Sequence, residues 1–233
     1  QLSVPVWKRW RNRHQRNEDE MKYIGVDLGS SFIKAVLMDL DQGKIVDQDK
    51  MATPEKEPYK NPNYFEIPAK KIVEIVKQLV DHYTKEYSDI EGLIISTQMH
   101  GFVYAIPEKE DMYISWQDMR CMNRMSGAKK TYLQWMEEQI TPQEMENHGV
   151  YLKPSLGICN LYTLLEENKE LRRDGELHTL GSYVIYSLTG NNICHISNAA
   201  PLGLADVAHH CWNKEILNRF HLENVKLPKL AEN

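Results

Sequence analysis

The first strongly apolar run, Ile24-Gly25-Val26-Asp27-Leu28, ends beside a carboxylate and a Gly29-Ser30-Ser31 turn, and a second run follows over 32–38. A short polar turn at 41–43 leads into a third strand over 44–50. Strands joined by so few residues must run antiparallel. The pattern therefore predicts a hairpin with an acid near its tip, not the strand-turn-helix of a dinucleotide fold. Prolines punctuate 54–68, which reads as a loop. Ile72, Ile75, Val76, Leu79, Val80 and Tyr83 then fall on one helical face, predicting a helix over 68–87 with Pro68 in its first turn. Residues 90–96 read as a buried strand, with 102–106 as its neighbour. Helices are predicted over 120–139, 156–168 and 176–189. Thr141-Pro142-Gln143-Glu144 is a capping box with proline at the first helical position. Residues 203–207 read as a short strand, and Asn213 caps a last helix reaching Phe220. The stretch 227–233 shows no terminal element.

Length and composition narrow the class. The chain has 233 residues, 42% hydrophobic and 26% charged, ordinary for a globular protein. Residues 1–20 carry five basic and three acidic side chains and two tryptophans, so the net charge of −5 leaves −7 on the remainder. That segment reads as a leader ahead of a natural start at Met21, the alternative being an arm for nucleic acid or a membrane surface. A body this acidic argues against general nucleic-acid binding. Cys121, Cys159, Cys194 and Cys211 are scattered, without zinc spacing, and read as buried reduced thiols in a cytoplasmic compartment. No apolar run reaches the ~20 residues that span a bilayer, and no signal peptide is visible.

Several residues suggest chemistry. Gly29, free of a Cβ, lets a phosphate approach main-chain N–H groups and the hydroxyls of Ser30 and Ser31. Asp27 beside it is suited to holding Mg²⁺, usually through water. Gly-Ser turns next to an acid also occur in ordinary hairpins. Gln98, Met99 and His100 follow a strand end, and Gly101 permits a sharp exit, so His100 could donate to sugar hydroxyls. Asp118 and Arg120, beside Trp116, either orient a polyol or form an ion pair tying a loop to the next helix. Asn198 and Asp206 read as structural, and Lys34 as a solvated strand lysine or a neighbour of phosphate.

Asp27-Leu28-Gly29-Ser30-Ser31 resembles the first phosphate motif of the actin, heat-shock ATPase and sugar-kinase superfamily. Ser96 to Gly101, Ser115 to Cys121, Leu188-Thr189-Gly190, Ser197 to Ala200 and Gly203 to Val207 resemble, in order and spacing, the N-terminal half of the FGGY carbohydrate kinases. Gln98-Met99-His100-Gly101 looks like the xylulokinases and sedoheptulokinases. The resemblance covers 21–233 and implies an α/β fold: a ribonuclease H-like (actin/sugar-kinase ATPase) domain with mixed sheet and helical insertions. It implies ATP and Mg²⁺ as cofactors, a ketose as substrate, and Met99, His100 and Gln98, with Asp118 and Arg120, at the sugar. The family's general base lies in a Gly-Gly-Asp run, which does not occur here. The chain thus reads as a fragment lacking the C-terminal ATP-binding domain, either half of a kinase or a truncated sugar-binding module, with a homodimer also open. Ser182, Cys194-His195 and Asn160 depart from the common family pattern and leave the sugar undefined.

Overall fold

The protein was analysed as a computed structural model that describes residues 21–147 and 151–231; the basic 1–20 segment lies outside the described residues. In chain order the first elements are β1 (Lys22–Leu28), β2 (Phe32–Asp39), β3 (Lys44–Ala52), β4 (Glu66–Pro68), α1 (Ala69–Glu86) and β5 (Ile90–Thr97). Next come β6 (Phe102–Ala105), β7 (Met112–Ile114), α2 (Tyr132–Gln139), α3 (Pro142–Asn147), α4 (Gly157–Glu167), β8 (Glu176–Thr179) and α5 (Leu180–Thr189). The last are β9 (Ile193–Cys194), α6 (Ile196–Ala199), β10 (Ala205–Asp206), β11 (Cys211–Trp212), α7 (Lys214–Arg219) and β12 (Lys229–Leu230). They form two compact units. One comprises 21–54, 70–97 and 184–191; the other comprises the described residues of 55–69, 98–183 and 192–231.

The first unit is a four-stranded sheet in the order β3-β2-β1-β5. β1, β2 and β3 are antiparallel neighbours, as their short turns require, and β5 returns parallel to β1 after the α1 crossover. Side chains alternate across a strand, so Ile24, Val26 and Leu28 of β1 and Ile33, Ala35 and Leu37 of β2 share one buried face. The predicted stripe of α1 is buried at Ile72, Val76, Leu79 and Tyr83, and the Tyr83 hydroxyl donates to the Ala35 carbonyl at 3.1 Å. The helix begins at Ala69, because Pro68 closes strand β4 instead. β5 is not the buried strand expected: only Ile90 is fully buried, and Ile94 is exposed.

The second unit holds a separate sheet, β4-β7-β6-β8, all antiparallel. Residues 102–106 therefore do not neighbour β5, as the sequence suggested. Their partners, β7 and β8, are distant or short in sequence, and local pattern could not reveal them. The predicted helix over 176–189 divides for the same reason: 176–179 is taken up as β8, and α5 starts only at Leu180. The expected 120–139 helix is a 3-10 turn over Arg120–Met122, an irregular stretch, and then α2. Thr131 starts α2 with a reciprocal capping box to Gln134. The core of this unit gathers α2, α4 and α7 around Met136, Ile158, Leu161, Tyr162, Ile216 and Phe220, where the Trp135 and Tyr162 rings stack at 5.0 Å. The Asn213 side chain caps α7, accepting from Ile216 N at 3.1 Å. The chain near 229–230 is not featureless, since β12 pairs parallel with β9. Cys121, Cys159 and Cys194 are buried, whereas Cys211 is exposed. Among the described residues no helix is long and apolar enough to cross a membrane.

α3 carries the predicted box: Thr141 N donates to Glu144 Oε2 at 2.7 Å, and Glu144 N donates to Thr141 Oγ1 at 3.2 Å. The Thr141 backbone bond, with help from Arg219, holds the Glu144 carboxyl at about 2. A carboxyl depressed in the folded state stabilises above its unfolded value and loses that contribution as pH falls through the folded one. Amide protection at the start of α3, measured against the intrinsic exchange rate at each pH, is therefore expected to fall between about pH 4.5 and pH 2, a fall that Glu144→Gln abolishes by removing the titrating group.

Candidate functional site

The first cluster is the β1–β2 turn. Register sets Asp27 opposite Lys34 and Leu28 opposite Ile33, leaving Gly29, Ser30 and Ser31 as the link. Asp27 and Lys34 are both exposed and form no ion pair with each other. The Asp27 carboxylate has no hydrogen-bond partner among the described residues. Gly29 does not use a left-handed conformation; its requirement is space. A Cβ there would lie 2.6 Å from the Phe32 carbonyl oxygen, because the chain doubles back tightly over it. Thr53, just past β3, pins the turn: its Oγ1 donates to Gly29 O at 2.8 Å and its N–H to Ser31 O at 3.0 Å. Thr53 was not singled out in the sequence. The signal was available, since β3 antiparallel to β2 must return to the tip. Ser30 and Ser31 are exposed. No group of three or more His, Cys, Asp or Glu side chains able to hold a metal occurs among the described residues. One free carboxylate with open space around it fits Mg²⁺, which keeps most of its waters and takes one or two carboxylates plus phosphate oxygens.

The second cluster is the corner that follows β5. Gly101 turns so closely that a Cβ would meet the Tyr113 hydroxyl at 2.3 Å. That hydroxyl points at Gln98 Oε1, 3.5 Å away, and the Tyr113 ring is buried in β7. His100 takes φ 69°, a left-handed conformation uncommon outside glycine. Its Nδ1 lies 2.8 Å from the Pro201 carbonyl oxygen. Burial pushes the His100 pKa below its ordinary value; the Pro201 bond opposes that shift and the charge of Lys153 adds to it. The start of α4 also closes on the corner, where a Cβ on Gly157 would lie 3.0 Å from His100 O. Met99 is 60% exposed, and Trp116, on the loop after β7, is 40% exposed. Gln98, Met99 and His100 thus share one corner.

Asp118 and Arg120 form a third, internal cluster. Arg120 donates through Nε and an Nη to the two oxygens of Asp118, each at 2.8 Å, and the same Nη reaches Glu66. Asp118 also accepts from Phe65 N at 2.8 Å and Arg120 N at 3.0 Å. Both side chains are buried. Burial works against the guanidinium charge, yet Asp118 and Glu66 outweigh it and raise the Arg120 pKa. Of the two readings open for this pair, the ion pair is the arrangement seen. Asn160 completes it, donating to Asp118 O at 2.8 Å and Pro154 O at 3.0 Å and accepting from Cys121 N at 3.3 Å. Arg120 lines a cavity of about 470 Å³ with Tyr59, Tyr64, Glu66, Tyr104 and Glu167. None of Gln98, Met99 and His100 borders it, and two of its tyrosines are bonded to its carboxylates: Tyr59 to Glu66, and Tyr64 to Glu167 at 2.8 Å. Asp206 is likewise engaged locally, with His209.

The fold, a mixed sheet with a parallel β5 return in the first unit and most of the helices in the second, is that of the sugar kinases. Xylulose kinase from Rhodospirillum rubrum superposes with a TM-score of 0.77 at 16% identity, covering 90% of this chain and 43% of that one. Gluconate kinase from Lactobacillus acidophilus superposes at 0.75 and 22%, covering 92% and 42%. The profile of the FGGY carbohydrate kinase N-terminal domain matches residues 22–233, and the chain belongs to that family. Xylulose kinase of Staphylococcus xylosus is 26% identical over 213 residues, covering 89% of this chain, and that of Escherichia coli is 25% identical over 215 residues, covering 90%. The chain spans 42% of the length of each of these two relatives.

Two substitutions check this anatomy. Removing one partner of a buried pair strands the other, so Asp118→Asn should lower unfolding stability by about 3–5 kcal/mol in denaturant titration. A loss under about 1 kcal/mol would show that the pair does not hold this loop. Gly101→Ala should cost about 1–3 kcal/mol by overpacking against Tyr113, and Tyr113→Ala should relieve part of that cost in the double variant, read as a non-additive stability change.

Proposed function

We propose that this chain is the phosphate- and sugar-facing half of an ATP-dependent ketose kinase. The observation that carries the reading is the Asp27–Gly29 turn, with its free carboxylate and its cradle too tight for a Cβ, in a chain that also carries the Met99–His100 corner. His100 follows Ser96, the register partner of Asp27 in β5, by four residues. Several relatives are named xylulose kinase, which favours a ketose.

MgATP, when bound, supplies the transferable phosphoryl group, and catalysis of such transfer is mostly positioning and charge stabilisation. Asp27 holds the cation through water. Ser30, Ser31 and the main-chain N–H groups at Gly29 face phosphate oxygens. Thr53 keeps that turn from opening. Met99 covers an apolar edge of the sugar, His100 hydrogen-bonds a hydroxyl, and Gln98 stands beside them. Asp118 and Arg120 act on the sugar site by fixing the loop that carries Trp116. No Gly-Gly-Asp run occurs in the chain, so the proton acceptor that the family resemblance implies is not among its residues. The four free thiols suit a reducing compartment such as the cytoplasm.

The test is a screen of the full-length gene product with MgATP against xylulose, ribulose and sedoheptulose. Phosphorylation of one ketose is expected, and Asp27→Ala should lower kcat by about 10²-fold or more while changing sugar affinity little. Unchanged turnover in that variant would remove Asp27 from the role given to it. The 233-residue chain alone should bind ketose without phosphorylating it.

A further inference from the structure

We propose that the main-chain carbonyl of Pro201 sets the tautomer of His100, so that His100 meets the sugar as a hydrogen-bond acceptor, through Nε2. This deepens the sugar-site reading and rests on it. A carbonyl oxygen can only accept, so a ring nitrogen 2.8 Å away must carry a proton. A neutral imidazole has one N–H, and with that proton on Nδ1 the lone pair stays on Nε2. Among the described residues Nε2 has no hydrogen-bond partner, and the ring is only half-buried. Burial and Lys153, from the loop before α4, both disfavour a second proton.

The carbonyl is held there by construction. Pro201 sits in a 3-10 turn over Ala200–Leu202, which ends at Gly203 with φ 76°, and Gly203 N donates back to Ala200 O at 2.9 Å. Leu202 and Leu204 anchor the turn in the core. Neither Gly203 nor Gly157 has room for a Cβ against this packing: the first would press Leu156 at 2.8 Å, the second Leu202 at 2.9 Å. His100 itself is kept at φ 69°, a strain that surrounding structure must over-determine. The stretch 196–204 thereby gains a purpose: it is a positioning element for His100. The consequence for specificity reverses the expectation drawn from sequence, in which His100 donates. An acceptor pairs with a hydroxyl and not with the ketose carbonyl, and it is left unsatisfied by an analogue lacking that hydroxyl.

The 233-residue chain labelled with ¹⁵N-histidine tests this in long-range ¹H–¹⁵N spectra, with His100→Gln used to assign the signals and xylulose, ribulose and sedoheptulose titrated by calorimetry. The expected result is a protonated Nδ1 and a bare Nε2 without sugar, and an Nε2 signal that moves when a ketose binds. Lowering the pH should leave binding unchanged until below 6.5, the ordinary histidine value, and then weaken it as Nε2 protonates and its lone pair is lost. His100→Asn, which keeps a donor near Nδ1 and nothing at Nε2, should weaken ketose binding at least tenfold more than His100→Gln. A proton on Nε2 in the free chain overturns the inference. Ketose binding that leaves Nε2 unmoved overturns the acceptor role while sparing the sugar-site reading. No heat with any of the three ketoses overturns that reading and the acceptor role together, although the tautomer is still read from the spectrum.

Discussion

Taking Arg120 out of water costs on the order of several kcal/mol before any compensation, and the second unit is organised so that this charge is met. Asp118 grips it with both oxygens, Glu66 adds a second carboxylate, and the Tyr64 ring lies with its centroid 5.0 Å from the guanidinium. Each partner belongs to a different stretch of chain. Glu66 is in β4, Asp118 follows β7, and Asn160 of α4 locks the Asp118 main chain. The cluster therefore fixes where a strand, a loop and a helix meet. Tyr113, in the β7 strand that leads into this loop, also backs the Gln98–Gly101 corner. Charge satisfaction inside the unit and geometry at its candidate sugar site are one problem, not two.

Much of the first unit was legible because its signals are local. Two short turns force antiparallel strands, and the α1 stripe repeats with a helical period; the pairing of β5 was not read, since its partner β1 lies beyond the helix. The second unit was less legible because its signals are not local. Glu176 to Thr179 looks helical beside 180–189, yet it is claimed by β6 across more than 70 residues. Residues 120–131 continue a helical pattern, but the buried guanidinium sits in a 3-10 turn over Arg120–Met122 and an irregular stretch follows it. β4 and β7, three residues each, are too short for any period to show.

The candidate site divides in the same way. Asp27, Gly29, Ser30 and Ser31 were found as a contiguous motif, although the reason for Gly29 is crowding by the Phe32 carbonyl and not backbone freedom. Met99 and His100 were singled out the same way, as a contiguous stretch. What sequence could not supply were the supports: Thr53 behind the turn, Tyr113 beneath Gly101, and the Pro201 carbonyl beside His100. Each acts through space from a separate element, and the Pro201 contact uses a main-chain atom that no residue pattern records.

Three of the four thiols are sealed in the interior and the fourth, Cys211, stands on the short β10–β11 hairpin. A maleimide dye or nitroxide added to the unmodified protein should thus attach at one place, in the second unit.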